Sequence, residues 1–73
     1  MKSYKLEIEG GLFNGAHKYY TTLQNARKGF VNYVNKCYKS SMYSGETLFG
    51  DIYYLEFSGD RCIRKRKVDE LTF

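Results

Sequence analysis

The chain has no proline, no tryptophan, one histidine and two cysteines in 73 residues. Each scarcity excludes something. With no proline and no low-complexity segment, nothing marks a linker, so residues 1–73 read as one domain. Cys37 and Cys62 do not build a disulfide framework, and with His17 they lack the clustered spacing of a zinc site. No apolar run approaches the roughly 18 residues that a membrane span needs. The start, Met1-Lys2-Ser3-Tyr4-Lys5-Leu6-Glu7, lacks the apolar core of a signal peptide. The expected setting is therefore cytoplasmic, with reduced thiols.

Catalytic patterns are missing as well. Gly10, Gly11 and Gly15 match neither a dinucleotide fingerprint nor a phosphate loop. The eight acidic residues form no spaced pair suited to general acid and base work. No nucleophile motif surrounds Cys37 or Cys62, and Cys37 reads as a small core residue. The expectation is a protein that is not an enzyme, with no cofactor and no metal.

What the chain does have is aromatic bulk and positive charge. Eight tyrosines and five phenylalanines stand in a chain with 42% hydrophobic residues, which favours a folded domain over disorder. So short a chain buries only a small core, and a homodimer is one way to enlarge it. Twelve Lys and Arg against eight Asp and Glu leave a net charge of +4, which leans towards an anionic partner.

The one long helical pattern runs from about residue 21 to 39. Leu23, Ala26, Phe30, Val34 and Cys37 recur at steps of three and four and share one face. Tyr33 widens that stripe on one side, and Val31 and Tyr38 on the other. Thr21, three residues before Gln24, offers a capping box, and Gly29 suggests a close approach of the helix to a sheet. Around this helix lie strand signals. Tyr4, Leu6 and Ile8 alternate with Lys5, Glu7 and Glu9. Asn14-Gly15 predicts a hairpin turn, with the return strand at about 16–20. Residues 52–57 are rich in β-branched and aromatic types, Ser58-Gly59-Asp60 reads as a turn, and the last strand runs over 61–68. Asp69 to Phe73 reads as a short tail, with Leu71 and Phe73 placed to tuck back. The expected fold is α+β in the order β-β-α-β-β: a four-stranded antiparallel sheet with the helix on one face. The most apolar strand belongs inside and the most charged at an edge, which predicts the spatial order β2-β1-β3-β4.

Five of the seven residues from Arg61 to Lys67 are basic: Arg61, Arg64, Lys65, Arg66 and Lys67. Tyr53 and Tyr54 belong to the neighbouring strand. The helix adds a face whose charges, Lys28 and Lys36 among them, are all positive. One reading makes this a nucleic-acid-binding module, with cations on phosphates and rings on bases. A second makes Tyr and Arg a protein-docking surface. The plain structural alternative is that edge-strand Lys and Arg only keep the sheet from aggregating. Glu7, Glu9, Glu56, Asp69 and Glu70 are then available to neutralise the run.

In size, composition and layout the chain resembles the small phage-encoded inhibitors of host defence, including the anti-CRISPR proteins. The shared features are one compact domain, many Lys, Asn and Tyr, and a helix on a small antiparallel sheet. The basic run departs from inhibitors that mimic DNA. The resemblance implies action by docking on a larger protein or ribonucleoprotein, and no functional residue is carried over from it.

Overall fold

A computed structural model describes residues 2–12 and 15–73. It has the expected architecture: strands β1 (Lys2–Glu9), β2 (His17–Tyr20), helix α1 (Leu23–Tyr38), β3 (Phe49–Ser58) and β4 (Arg61–Thr72). The strands form one antiparallel sheet in the order β2-β1-β3-β4. Among the described residues no helix is long and apolar enough to cross a membrane.

The alternation in β1 puts Leu6 and Ile8 on the helix side, where both are buried. Leu6 stands opposite Ile52 in the β3 register, so the two central strands supply the floor of the core. The helix lays Ala26, Phe30, Tyr33, Val34 and Cys37 on that floor, and Leu48 closes it. Fully burying a side chain of the Leu or Ile type stabilises by about 1.5–3 kcal/mol, and Leu6, Leu48 and Ile52 are all wholly buried.

Two glycines let the helix come this close. A Cβ on Gly50 would stand 2.5 Å from the Phe30 ring, and one on Gly29 would stand 2.1 Å from the Tyr20 hydroxyl. The aromatic rings occupy the space where other residues carry side chains. The expected close approach at Gly29 is therefore present, with Tyr20 of β2 as the group that fills it.

Several boundaries differ from expectation. The helix cap is Thr22, not Thr21: Thr22 is extended (φ −135°, ψ 154°) and its hydroxyl accepts from the Asn25 N–H at 3.1 Å. Tyr20 is still paired with Tyr4 in the sheet, so the chain needs Thr21 to leave the strand before a helix can start. The stripe is also wider in sequence than the sheet can cover. The helix rests on β1, β2 and β3, so Val31 and Tyr38 on its β4 flank stay more than half exposed.

The predicted tail at 69–73 is the second half of β4. Asp69, Glu70, Leu71 and Thr72 pair with Ile52, Asp51, Gly50 and Phe49, so β3 begins three residues earlier than its apolar run suggested. Phe73 then exchanges two 2.9 Å backbone hydrogen bonds with Leu48. Bulges between Ile52 and Tyr53, and between Glu56 and Phe57, let the charged and the apolar segments join in one strand.

The expected turn at Asn14-Gly15 falls partly outside the described residues. Gly15 has φ +84°, and its N–H donates to the Ile8 carbonyl at 2.9 Å. Gly10 and Gly11, read from the sequence as a break, do end β1, with φ of +92° and +77°.

Candidate interaction site

The basic run occupies the outer strand of a long hairpin. The β3–β4 pair divides at the bulge after Ile52. On the near side, the helix touches the hairpin at Gly50 through Phe30 and at Asp69 through Arg27. On the far side, Tyr53–Ser58 pairs with Arg61–Lys67 and ends in a two-residue turn. Gly59 has φ +60° and Asp60 does not share the positive φ, as in a type II′ turn. β1 still flanks the first four of these β3 residues, with Lys2, Ser3, Tyr4 and Lys5 paired to Glu56, Leu55, Tyr54 and Tyr53, so residues 57–62 are the part of the hairpin that reaches past β1. The molecule is elongated, with extents of 43 × 19 × 17 Å and a radius of gyration of 13.1 Å, against about 11 Å expected for a compact chain of its length.

Every residue from Arg61 to Lys67 is exposed. Their alternation separates two kinds of cation. Lys65 and Lys67 point to the open face of the sheet, away from the helix. Lys65 lies 4.6 Å from the centre of the Tyr53 ring and 3.8 Å from Glu7. Lys67 meets Asp51 at 3.2 Å and also pairs with Glu70. Hydrogen bonds to these two carboxylates, Glu70 first, push the Lys67 ammonium up to about 12. The lysines of the run are thus tied down by acidic groups on their own face.

The arginines are not. By register Arg64 stands opposite Glu56 and Arg66 opposite Tyr54, both on the helix-side face. The Tyr54 hydroxyl donates to Glu56 at 2.8 Å, and its ring lies 5.6 Å from that of Tyr4. That hydrogen bond is the main reason the Tyr54 phenol is raised, and the charge of Arg64 opposes the shift. Arg61, Arg64 and Arg66 make no ion pair within 4 Å among the described residues. Asp69, expected to help neutralise the run, instead accepts from Arg27 of the helix at 2.7 Å. That bond holds its carboxyl below the usual range.

The hairpin therefore brings together Arg61, Arg64, Lys65, Arg66, Lys67, Tyr53 and Tyr54. The helix lysines do not join them. Lys28 is exposed on the helix, and Lys36 lines a groove of about 330 Å³ between the helix and β2. That groove lies over the sheet edge opposite β4. Its wall includes His17, Lys18, Tyr20 and Gly29, none of which the sequence marked as a group. Among the described residues no cluster of His, Cys, Asp or Glu is arranged to hold a metal ion. Cys37 is buried in the core, and Cys62 is exposed within the basic strand.

Sequence reasoning missed one participant. Asp51 lies far from the basic run in sequence and only the register of β3 against β4 brings it to Lys67. Comparison of the chain with protein-family models, with curated proteins and with solved structures finds no match.

Proposed function

We propose that this chain is a non-enzymatic binding protein that docks on an acidic surface of a larger protein or ribonucleoprotein through the exposed outer strand of its β3–β4 hairpin. In this it would act in the manner of the small phage-encoded inhibitors of host defence that it resembles in size, composition and layout. The observation that carries the reading is the far half of the hairpin. Its outer strand is exposed from Arg61 to Lys67, and its three guanidiniums lack the carboxylate partners that the lysines beside them have. Guanidinium groups bind carboxylates in pairs of parallel hydrogen bonds, and Arg with Tyr is the composition of energetically dominant contact residues.

Direct nucleic-acid binding is the weaker alternative, for two reasons. A sequence-tolerant nucleic-acid site needs ring faces on which bases stack. Here Lys65 covers Tyr53, and Tyr54 is engaged by Tyr4 and Glu56. Carboxylates also stand among the cations, with Glu7, Asp51 and Glu70 on one face and Glu56 on the other.

The test has two arms. Titration with labelled single-stranded and duplex DNA and RNA, at two salt concentrations, should show no specific binding. Affinity capture from a bacterial lysate should retain a partner that survives nuclease treatment and is lost with the double substitution Arg64→Glu and Arg66→Glu. Tight, steeply salt-dependent nucleic-acid binding that the same double substitution removes would overturn the reading.

A further inference from the structure

The two edges of the sheet are unlike. β2 is four residues long and β4 is twelve. In an antiparallel pair, alternate residues turn their N–H and C=O away from the neighbouring strand. The outer edge of β4 therefore carries a row of backbone donors and acceptors that no strand of this sheet meets. Such an edge is a template for another chain unless something blunts it. The two bulges break it up, and between them Arg64, Lys65, Arg66 and Lys67 keep a regular register. Four successive cations make this edge repel a second copy of itself. They do not repel an acidic strand.

Resting on the docking reading, we infer that the β4 edge over Arg64–Lys67 receives an extended acidic segment of the partner protein as a fifth antiparallel strand. The charge pattern sets the chemistry of that segment. Arg64 and Arg66 share one face and lack carboxylate partners among the described residues. Lys65 and Lys67 share the other face and already have Glu7, Asp51 and Glu70. A matching strand carries carboxylates at alternate positions, on the face of the two arginines. Its intervening positions are neutral and β-branched. Main-chain bonds then supply attachment, and the period-two acidic pattern supplies selectivity. A run of consecutive acidic residues would place half its charge on a face that is already neutralised.

The experiment uses the full chain and synthetic peptides. The probe is a seven-residue capped peptide alternating Glu and Val. Its controls are the same residues with the glutamates contiguous, and two versions N-methylated on alternate amides, one for each strand edge. Binding is read by fluorescence anisotropy and by amide shifts in two-dimensional NMR. The expected result is that the alternating peptide binds and shifts the amides of 64–67. N-methylation on one edge weakens binding about tenfold or more, and on the other edge leaves it unchanged. Arg64→Gln with Arg66→Gln weakens it similarly, with circular dichroism unchanged. Equal binding of all four peptides would overturn strand addition and leave docking by charge alone. No binding of any acidic peptide, with the nuclease-resistant partner still captured, would overturn strand addition but not docking. Preference for an oligonucleotide over every peptide would overturn both.

Discussion

The near and far halves of the β3–β4 hairpin belong to the same two strands and the same ladder, yet they are built to different ends. In the near half, Gly50 and Ile52 are buried, Leu71 packs on the core, and Phe30 from the helix lies against Gly50. In the far half one whole strand, Arg61–Lys67, is exposed. Burial continues across the boundary in the inner strand, where Leu55 is buried, but not in the outer strand, whose charge there is wholly positive. A strand pair anchored at one end by a core can carry at its other end an outer strand that is all surface. The contrast makes a quantitative claim: stability resides in the near half and recognition in the far half.

The largest test of that claim is Phe30→Ala. It empties the centre of the near half and is expected to destabilise the fold by about 3–5 kcal/mol. For a small domain whose whole stability is about 5–15 kcal/mol, that is a large fraction. Denaturant unfolding followed by circular dichroism reads it directly. A loss under about 1 kcal/mol would mean that the helix is not what anchors the hairpin. Gly50→Ala comes next. The added methyl would meet the Phe30 ring at 2.5 Å, and a buried ring cannot swing away cheaply. Overpacking of this kind costs about 1–3 kcal/mol. Gly59→Ala in the far turn is the useful contrast, because its Cβ meets nothing within 4 Å. Whatever that substitution costs comes from backbone strain at φ +60° and not from packing.

The near half was also the harder half to read from sequence. Its outer strand, Asp69-Glu70-Leu71-Thr72, is short and mixed, and resembles a tail. Only pairing with Phe49–Ile52 makes it a strand, and a bulge at the junction breaks the alternation that would have shown it. The far half was legible because aromatic residues at 53–57 and the basic run at 61–67 fall on either side of a glycine turn. Alternation alone separated Arg64 and Arg66 from Lys65 and Lys67. It did not say which face each pair takes, because that depends on register against β3 and on where the helix lies. Helix placement likewise decided that Val31 and Tyr38 stay exposed while Tyr33 is buried, a distinction the widened stripe did not contain.

A smaller effect probes the seam between the halves. Arg27 and Asp69 join the helix to β4, and both are partly exposed, so the pair stabilises by less than about 1 kcal/mol after solvent screening. The Asp69 carboxyl is held low mainly by that hydrogen bond. A group depressed in the folded state stabilises above its unfolded value of about 3.9, and the contribution is lost as pH falls through the folded value. Arg27→Ala should therefore raise the Asp69 titration midpoint in a carbon-detected NMR series, and should reduce stability at pH 7 more than at pH 2. An unmoved midpoint would show that Asp69 takes its charge stabilisation from elsewhere.

The smallest expected change in stability is also the most informative about function. Arg64→Gln with Arg66→Gln removes two charges from exposed positions that make no ion pair among the described residues. Surface substitutions of this kind usually fall within about 0.5 kcal/mol of zero. If the arginines stay unpaired because a partner uses them, the double variant unfolds at the same denaturant concentration as the parent and loses that partner. Lys65→Gln with Lys67→Gln is the matched case and should behave in the opposite way. It strips Asp51 and Glu70 of their cation and leaves Glu7 with Lys5 alone, so it lowers stability slightly and leaves the partner bound. Equal loss of the partner in both pairs would show that the hairpin is read as total charge, and the division of labour between its two faces would fall.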